Sequence, residues 1–468
     1  MRTLQKSTLS IAVITLLLSG CATLSPEYER PSAPIPSTLA VGPKESQHSV
    51  QELSWKAFIK DEKLTKVVAL ALEQSRDLRK AVANIEAARA TYRVQKSAEL
   101  PTIEAGATGS KARSLNSTTN TTSISQSSSA TIGLSSYELD LFGKARSLSE
   151  AEFETYKGVE EAERSVRITL IAETVSAWLT YASDQSLLML SQQTEQSAKR
   201  SLALVQKRVE LGLDSKVSLY SAQSIVQQAK ADVASYTTKM AQDRSALELL
   251  VGASVDEALL PKALDIASQD WLADVPVGLS SEVLLNRPDV LEAEHNLKAA
   301  NANIGVARAA YFPSITLTTK GGVGSSTLSG LFSGGTSTIW SFVPNISLPL
   351  FDAGERDANL DYAKAKRDVY VATYEAAIQT AFKEVSSALA RRATIFEQYS
   401  AQEALVEANK QSYLLYDARY QKGVDTYLNA LLSQRSFYSA EQSLISVRLE
   451  ELSNRVTLYR VLGGGLAQ

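Results

Sequence analysis

The chain of 468 residues is poor in the side chains on which most site chemistry depends, with 1 cysteine, 2 histidines and 3 methionines. A lone cysteine, Cys21, excludes any disulfide within the chain, and its thiol then needs another reason to exist. His48 and His295 fall in unrelated contexts. No Cys/His cluster, phosphate-binding glycine loop or nucleophile elbow occurs, so an enzyme would have to rely on carboxylates alone. The 51 acidic residues are mostly spaced among Lys and Arg, the pattern of a solvated helix face. A net charge of −3 offers no basic surface for nucleic acid. Proline is missing from two long stretches, Lys144 to Leu211 and Glu355 to Lys422. At about 1.5 Å per residue, each would reach roughly 100 Å as one helix.

What is present begins at the N-terminus. Arg2 and Lys6 precede an apolar run from Ile11 to Leu18, too short to span a bilayer, and then Leu18-Ser19-Gly20-Cys21. This is the plan of a secretory signal over residues 1–20, ending in a sequence that resembles the bacterial lipobox. Lipid on Cys21, diacylglycerol and fatty acyl, gives the single thiol its role, and no other cofactor is expected. Ala22 after the cysteine implies delivery to the outer membrane. Residues 21–60, with Pro26, Pro31, Pro34, Pro36 and Pro43, read as an extended tether.

The remainder is written twice. Alanine-rich helical runs begin at Asp77 and Asp289 and end at Leu100-Pro101 and Phe312-Pro313, with Asn84, Ala88 and Val94 answering Asn296, Ala300 and Val306. Arg208-xxx-Gly212-Leu213-Asp214 answers Arg419-xxx-Gly423-Val424-Asp425. The chain is therefore a unit of roughly 210 residues made twice, residues 61–262 and 263–468, too few copies for a solenoid.

After each alanine-rich helix the hydrophobic period changes from 3.6 to 2. Ile103, Ala105 and Ala107 share parity, as do Ala130, Ile132 and Leu134; later, Ile315, Leu317 and Val323 do so, and Trp340, Phe342, Pro344 and Ile346. Each copy thus offers a hairpin, about 102–142 and 314–351, with Ser/Thr-rich loops expected at Leu115 to Ser127 and Ser329 to Thr336. Helices 144–211 and 355–422 follow and end at Gly212 and Gly423, suited to a left-handed cap. Asp214 and Asp425 are candidate N-caps for returning helices 214–251 and 425–462. Four amphipathic strands can span a membrane, but open sheet edges do not persist in lipid and the smallest bacterial barrels use about eight strands. The pattern predicts an oligomer sharing one barrel, continued by helices into the periplasm.

The stretches Ser136-Tyr-Glu-Leu-Asp-Leu-Phe-Gly143, Asn286-Arg-Pro-Asp-Val-Leu-Glu-Ala-Glu294, Ala307-Arg-Ala-Ala-Tyr-Phe-Pro-Ser314 and Val456-Thr-Leu-Tyr-Arg-Val-Leu-Gly-Gly464 resemble the outer membrane factor family, the TolC superfamily, closest to its lipoprotein branch typified by OprM and VceC. The resemblance covers nearly all of the mature chain. It implies an α+β membrane protein: a homotrimer whose strands, four per chain, close a 12-stranded β-barrel, continued by a helical barrel with a mixed equatorial domain, each built from both repeats. It implies a passive exit channel of a tripartite drug efflux pump in the outer membrane of a Gram-negative bacterium, docked to a periplasmic adaptor and an inner-membrane resistance-nodulation-division pump, with drugs, dyes or bile salts as cargo.

On that resemblance, Asp425 to Gln434 carries the constriction. Leu428 takes the place of a gate leucine, and Leu432 stands where many relatives have an aspartate. The two fall one turn apart on one helix face, so three chains would stack two apolar rings that close the pore by excluding water. The alternative for both is packing between helices. Arg419, Tyr420 and Asp425 match positions that hold neighbouring helices together near the aperture. The turns at Gly212, Asp214 and Gly423 face away from the membrane and are expected to meet the adaptor. The rival from another class is a lipid-anchored coiled-coil adhesin or periplasmic scaffold, which has no need of amphipathic hairpins.

Overall fold

The computed structural model describes residues 23–36, 54–116, 118, 120–264, 271–275 and 281–464; the signal segment and Cys21 lie outside the described residues. Four strands and eight α-helices are described. Short α1 (Trp55–Phe58) precedes α2 (Glu62–Gln74) and α3 (Arg76–Ser97), then come β1 (Ile103–Asn116), β2 (Thr121–Glu138), α4 (Lys144–Glu210) and α5 (Lys216–Val251). The order repeats as α6 (Pro288–Ala309), β3 (Ser314–Ser325), β4 (Ser337–Ser347), α7 (Glu355–Gln421) and α8 (Tyr427–Val461). The paired elements match in length: α3 and α6 have 22 residues each, α4 and α7 have 67 each, and α5 and α8 have 36 and 35. Pro288, which lacks the amide that a first turn leaves unused anyway, opens α6. Among the described residues no helix is long and apolar enough to cross a membrane.

Two compact units form, and each draws on both halves of the sequence. One holds described residues within Met1–Ser32, Ile85–Val159 and Glu292–Tyr374; the other holds those within Ala33–Asn84, Glu160–Leu291 and Glu375–Gln468.

In the first unit, β1 to β4 make one antiparallel sheet in sequence order, which leaves β1 and β4 as edges. Residues directly opposite one another across a ladder point to the same face. The register therefore gathers Ala105, Ile132, Gly321 and Trp340 in one row and Ile103, Leu134, Thr319 and Phe342 in the next, extended by Leu317 with Pro344 and Ile315 with Ile346. That face is apolar and open: Trp340 is 79% exposed and Phe342 59%. The other face carries Glu104, Gly133, Lys320 and Ser341, and hydroxyl pairs such as Thr108 with Ser129 and Ser110 with Ser127, each at 2.8 Å. At Gly133 and Gly322 a Cβ would meet the next strand's carbonyl oxygen at 1.9 and 2.0 Å, so only glycine lets the strands approach this closely.

The strands run longer than the hydrophobic alternation suggests. The loop expected at Leu115 to Ser127 is mostly ladder, because β1 continues to Asn116 and β2 resumes at Thr121, giving strands of 14 and 18 residues. Ser, Thr and Asn there carry no hydrophobic period, but their hydroxyls pair across the ladder, as Ser114 does with Ser123 at 3.3 Å.

The expected tether is also more ordered than its proline content implies. Residues 24–30 lie along α6 as a strap. Arg308 donates to the Leu24 carbonyl at 3.0 Å, Asn301 to the Pro26 carbonyl at 2.7 Å, and Tyr28 and Arg30 both bond the buried Glu294. Gly305 makes the fit: a Cβ there would stand 2.2 Å from Ser25 Oγ, which itself meets Ser147 of α4 at 3.1 Å.

In the second unit the core collects Trp178, Leu247, Leu284 and Tyr459, with the Phe58 and Tyr459 rings stacked at 4.3 Å. The buried Arg287 guanidinium reaches the Val461 carbonyl at 2.7 Å, Asp289 at 2.7 Å and Glu384 at 2.9 Å, so its charge is fully matched.

Candidate gate and helix tips

The α4–α5 and α7–α8 connections are built alike. Gly212 and Gly423 adopt φ of 70° and 72°, the left-handed conformation that closes a helix at little cost without a Cβ. The same two bonds follow in each tip: Gly212 N to Val209 O at 3.0 Å and Leu213 N to Arg208 O at 2.8 Å, matched by Gly423 N to Tyr420 O and Val424 N to Arg419 O, both at 2.9 Å.

Asp214 and Asp425 do not cap the returning helices. Ser215 caps α5, accepting from Ser218 N, and Thr426 precedes α8 without a side-chain cap bond. The reason is competition for the carboxylates. Asp214 accepts from Arg208 Nε at 2.8 Å and from the Tyr420 hydroxyl at 2.7 Å; Asp425 accepts from Arg419 Nε at 3.0 Å and Asn429 Nδ2 at 2.7 Å. Tyr420 therefore ties the second hairpin to the first, and the Arg208 guanidinium lies 4.9 Å from the centre of its ring. Burial and then the Asp214 carboxylate hold the Tyr420 hydroxyl well above its ordinary pKa, so it stays a donor. Asp425 is held below the usual carboxylate range, first by the Asn429 amide, then by the Thr426 N–H and by Arg419.

Behind these bonds sits an apolar cluster of Val205, Ala222, Tyr420, Tyr427, Ala430 and Leu431, contributed by all four helices. It uses one face of α8. Leu428 and Leu432 project from the other, 58% and 51% exposed, one turn apart. Neither is packed between helices of its own chain. Arg419 likewise faces out, whereas its neighbour Tyr420 is buried. Of the residues singled out from the sequence, the structure joins Tyr420 to Asp214 and Arg419 to Asp425, sets Gly212 and Gly423 at the two turns, and leaves Leu428 and Leu432 open. The structure adds Arg208 and Asn429 to these; the repeated Arg and Asp six positions apart signal the first in the sequence, and nothing local signals the second. Cys21 is outside the described residues.

A four-stranded sheet with one exposed apolar face and two paired helix hairpins are parts shared with the outer-membrane channel class. Known proteins agree. The model of the outer membrane efflux protein family matches residues 67–253 and again 279–464. The probable efflux pump outer membrane protein TtgC of Pseudomonas putida is 43% identical over 467 residues, covering 98% of this chain and 96% of the relative. The solvent efflux pump outer membrane protein SrpC of the same species is 44% identical, covering 97% and 98%. The open state of the MtrE outer membrane channel of Neisseria gonorrhoeae superposes with a TM-score of 0.87 at 36% identity, covering 95% of this chain and 99% of MtrE.

The chain belongs to the outer membrane efflux protein family. It is an efflux channel protein of the outer membrane, a conduit and not an enzyme.

Proposed function

We propose that three copies of the chain close a barrel of twelve strands in the outer membrane and continue it into the periplasm as a helical barrel, each layer built from both sequence repeats. The observation that carries this reading is the sheet's exposed apolar face beside two unpaired edges: in lipid the face is satisfied, and the edges of β1 and β4 pair only with those of neighbours. Matching element lengths and the twofold family match support a tandem duplication.

The strap supports lipidation at Cys21. Leu24 is held by Arg308, six residues before β3 in sequence, so the described chain begins anchored to α6 two residues after the lipobox-like cysteine. The tips around Gly212, Asp214 and Gly423 take the periplasmic adaptor, which links the channel to an inner-membrane pump of the resistance-nodulation-division type. Cargo follows that pump, with drugs expected and, from the name of SrpC, solvents beside them.

Leu428 and Leu432 form the gate. Both project from α8 with more than half of their surface exposed, and two apolar rings one turn apart exclude water from a narrow aperture. The test is single-channel recording of purified wild-type trimers and of L428S/L432S in planar bilayers. The double variant conducts more and admits more antibiotic to cells; an unchanged conductance removes both leucines from the constriction. A spacer or adhesin passes no current at all.

A further inference from the structure

A groove of 740 Å³, within the range of sites for drug-sized ligands, is lined by α5 and α8 with Thr194 of α4 at its side. The α8 bank of this groove lies between the buried cluster and the two leucines: Leu431, Gln434 and Tyr438 line its inner side, while Arg435, Ser439 and Gln442 line its outer side and follow Leu428 and Leu432 at helical spacing on one face. On the reading given above, the outer side of the groove, with Arg435, faces the lumen just inside the gate.

Its chemistry is uneven. Ile225 and Leu431 contribute apolar surface, Tyr220 stands exposed on the α5 bank, and Tyr438 lines the α8 bank. The carboxylate present, Asp232, is engaged by the wall itself, accepting from Gln228 Nε2 at 2.9 Å and from the Tyr438 hydroxyl at 3.1 Å. Arg435 is the lining's cation, and among the described residues nothing pairs with it. A trough with an apolar floor, tyrosines and Ser and Gln along its sides, an acid whose oxygens are already engaged by two neutral donors, and an unmatched guanidinium is complementary to an amphiphile that has a rigid apolar body and one anionic headgroup.

We propose that the α5–α8 groove is a wall site for anionic amphiphiles, which lay their apolar body between Tyr220 and Tyr438 and their carboxylate or sulfonate on Arg435. Molecules entering through the gate would pause there before moving outward. The inference rests on the proposed trimeric channel, and its test keeps the two apart.

Cholate is titrated into the full-length acylated trimer in lipid nanodiscs, with binding read by saturation-transfer NMR, and current is recorded from the same preparation in planar bilayers. Wild type binds cholate saturably, and cholate added from the tip side shortens open events. R435Q weakens binding about tenfold, the worth of one charge-assisted pairing, while Y220A weakens it without changing preference for charge. A cationic amphiphile of the same size is unaffected by R435Q. Equal cholate affinity in wild type and R435Q overturns the proposal, as does the absence of saturable binding. If Tyr220 and Tyr438 become protected from exchange only on trimer formation and cholate does not bind, the groove belongs to a second copy of the chain. Normal conductance in any of these outcomes leaves the channel reading standing; loss of conductance in wild type removes that reading instead.

Discussion

The two helix tips carry the same motif and do different work. Arg208 and Arg419 each reach an aspartate six residues on, across turns whose glycines share a left-handed conformation. Yet Arg208 is 20% exposed and sits under the Tyr420 ring, whereas Arg419 is 57% exposed. The divergence comes from the next position. The residue after Arg419 is Tyr420, which crosses to Asp214; the residue after Arg208 is Val209, which packs against the apolar cluster and reaches no partner of that kind. A repeated turn thus fixes local shape, and a single unmatched side chain makes the pair of hairpins into one latched unit. In the proposed channel that latch is what must loosen when the aperture opens.

Asp214→Ala is the most damaging single change to this arrangement, because it strands the buried Tyr420 hydroxyl and the half-buried Arg208 together. It lowers stability by about 2–4 kcal/mol, read as a shift of the unfolding midpoint of the purified protein, and hydrogen exchange rises at both tips. Tyr420→Phe removes one bond to a charged acceptor and costs about 1.5–3 kcal/mol. If Tyr420→Phe leaves exchange at Asp214 unchanged, the hairpins are not joined there. Asp425→Ala has the smaller effect, since Arg419 is solvated, and it loosens only the second tip. Equal losses from Asp214→Ala and Asp425→Ala would erase the distinction between the tips.

A proton dependence divides the hairpins as well. Burial pushes the Glu441 carboxyl of α8 up to about 7, and burial together with Asp184 pushes Asp243 of α5 up to about 6. Unfolded, such groups titrate near about 4. The folded chain therefore holds these protons more tightly, so their stabilisation is full in acid and is lost as pH rises through 6 and then 7. The unfolding midpoint should fall from pH 5 to pH 8 on this account. Asp243→Asn flattens the lower part of that slope and Glu441→Gln the upper part; parallel slopes in both variants and wild type would place the dependence elsewhere.

Much of this architecture is legible in the sequence where punctuation is strong. Pro288 marks the start of α6, and Gly212, Gly252 and Gly423 mark ends, because each residue answers a local backbone demand. The apolar face of the sheet follows from alternation alone. What escapes is long-range or lacks a period. The Ser/Thr run between Leu115 and Ser127 reads as a loop since its strand character lies in hydroxyl pairs across the ladder. The strap reads as a linker because its partners Glu294, Asn301 and Gly305 are far along the chain. Asp214 reads as an N-cap because nothing local reveals that Tyr420 will claim it.

In the proposed channel one face of the sheet meets lipid. Nitroxide labels placed singly along β4 in reconstituted vesicles measure it most directly, by collision with oxygen in the bilayer and with a water-soluble nickel chelate. Positions 340, 342 and 346 should favour oxygen and positions 341, 345 and 347 the chelate, in strict alternation. Chelate access on both faces, or on neither, would contradict a membrane-embedded barrel.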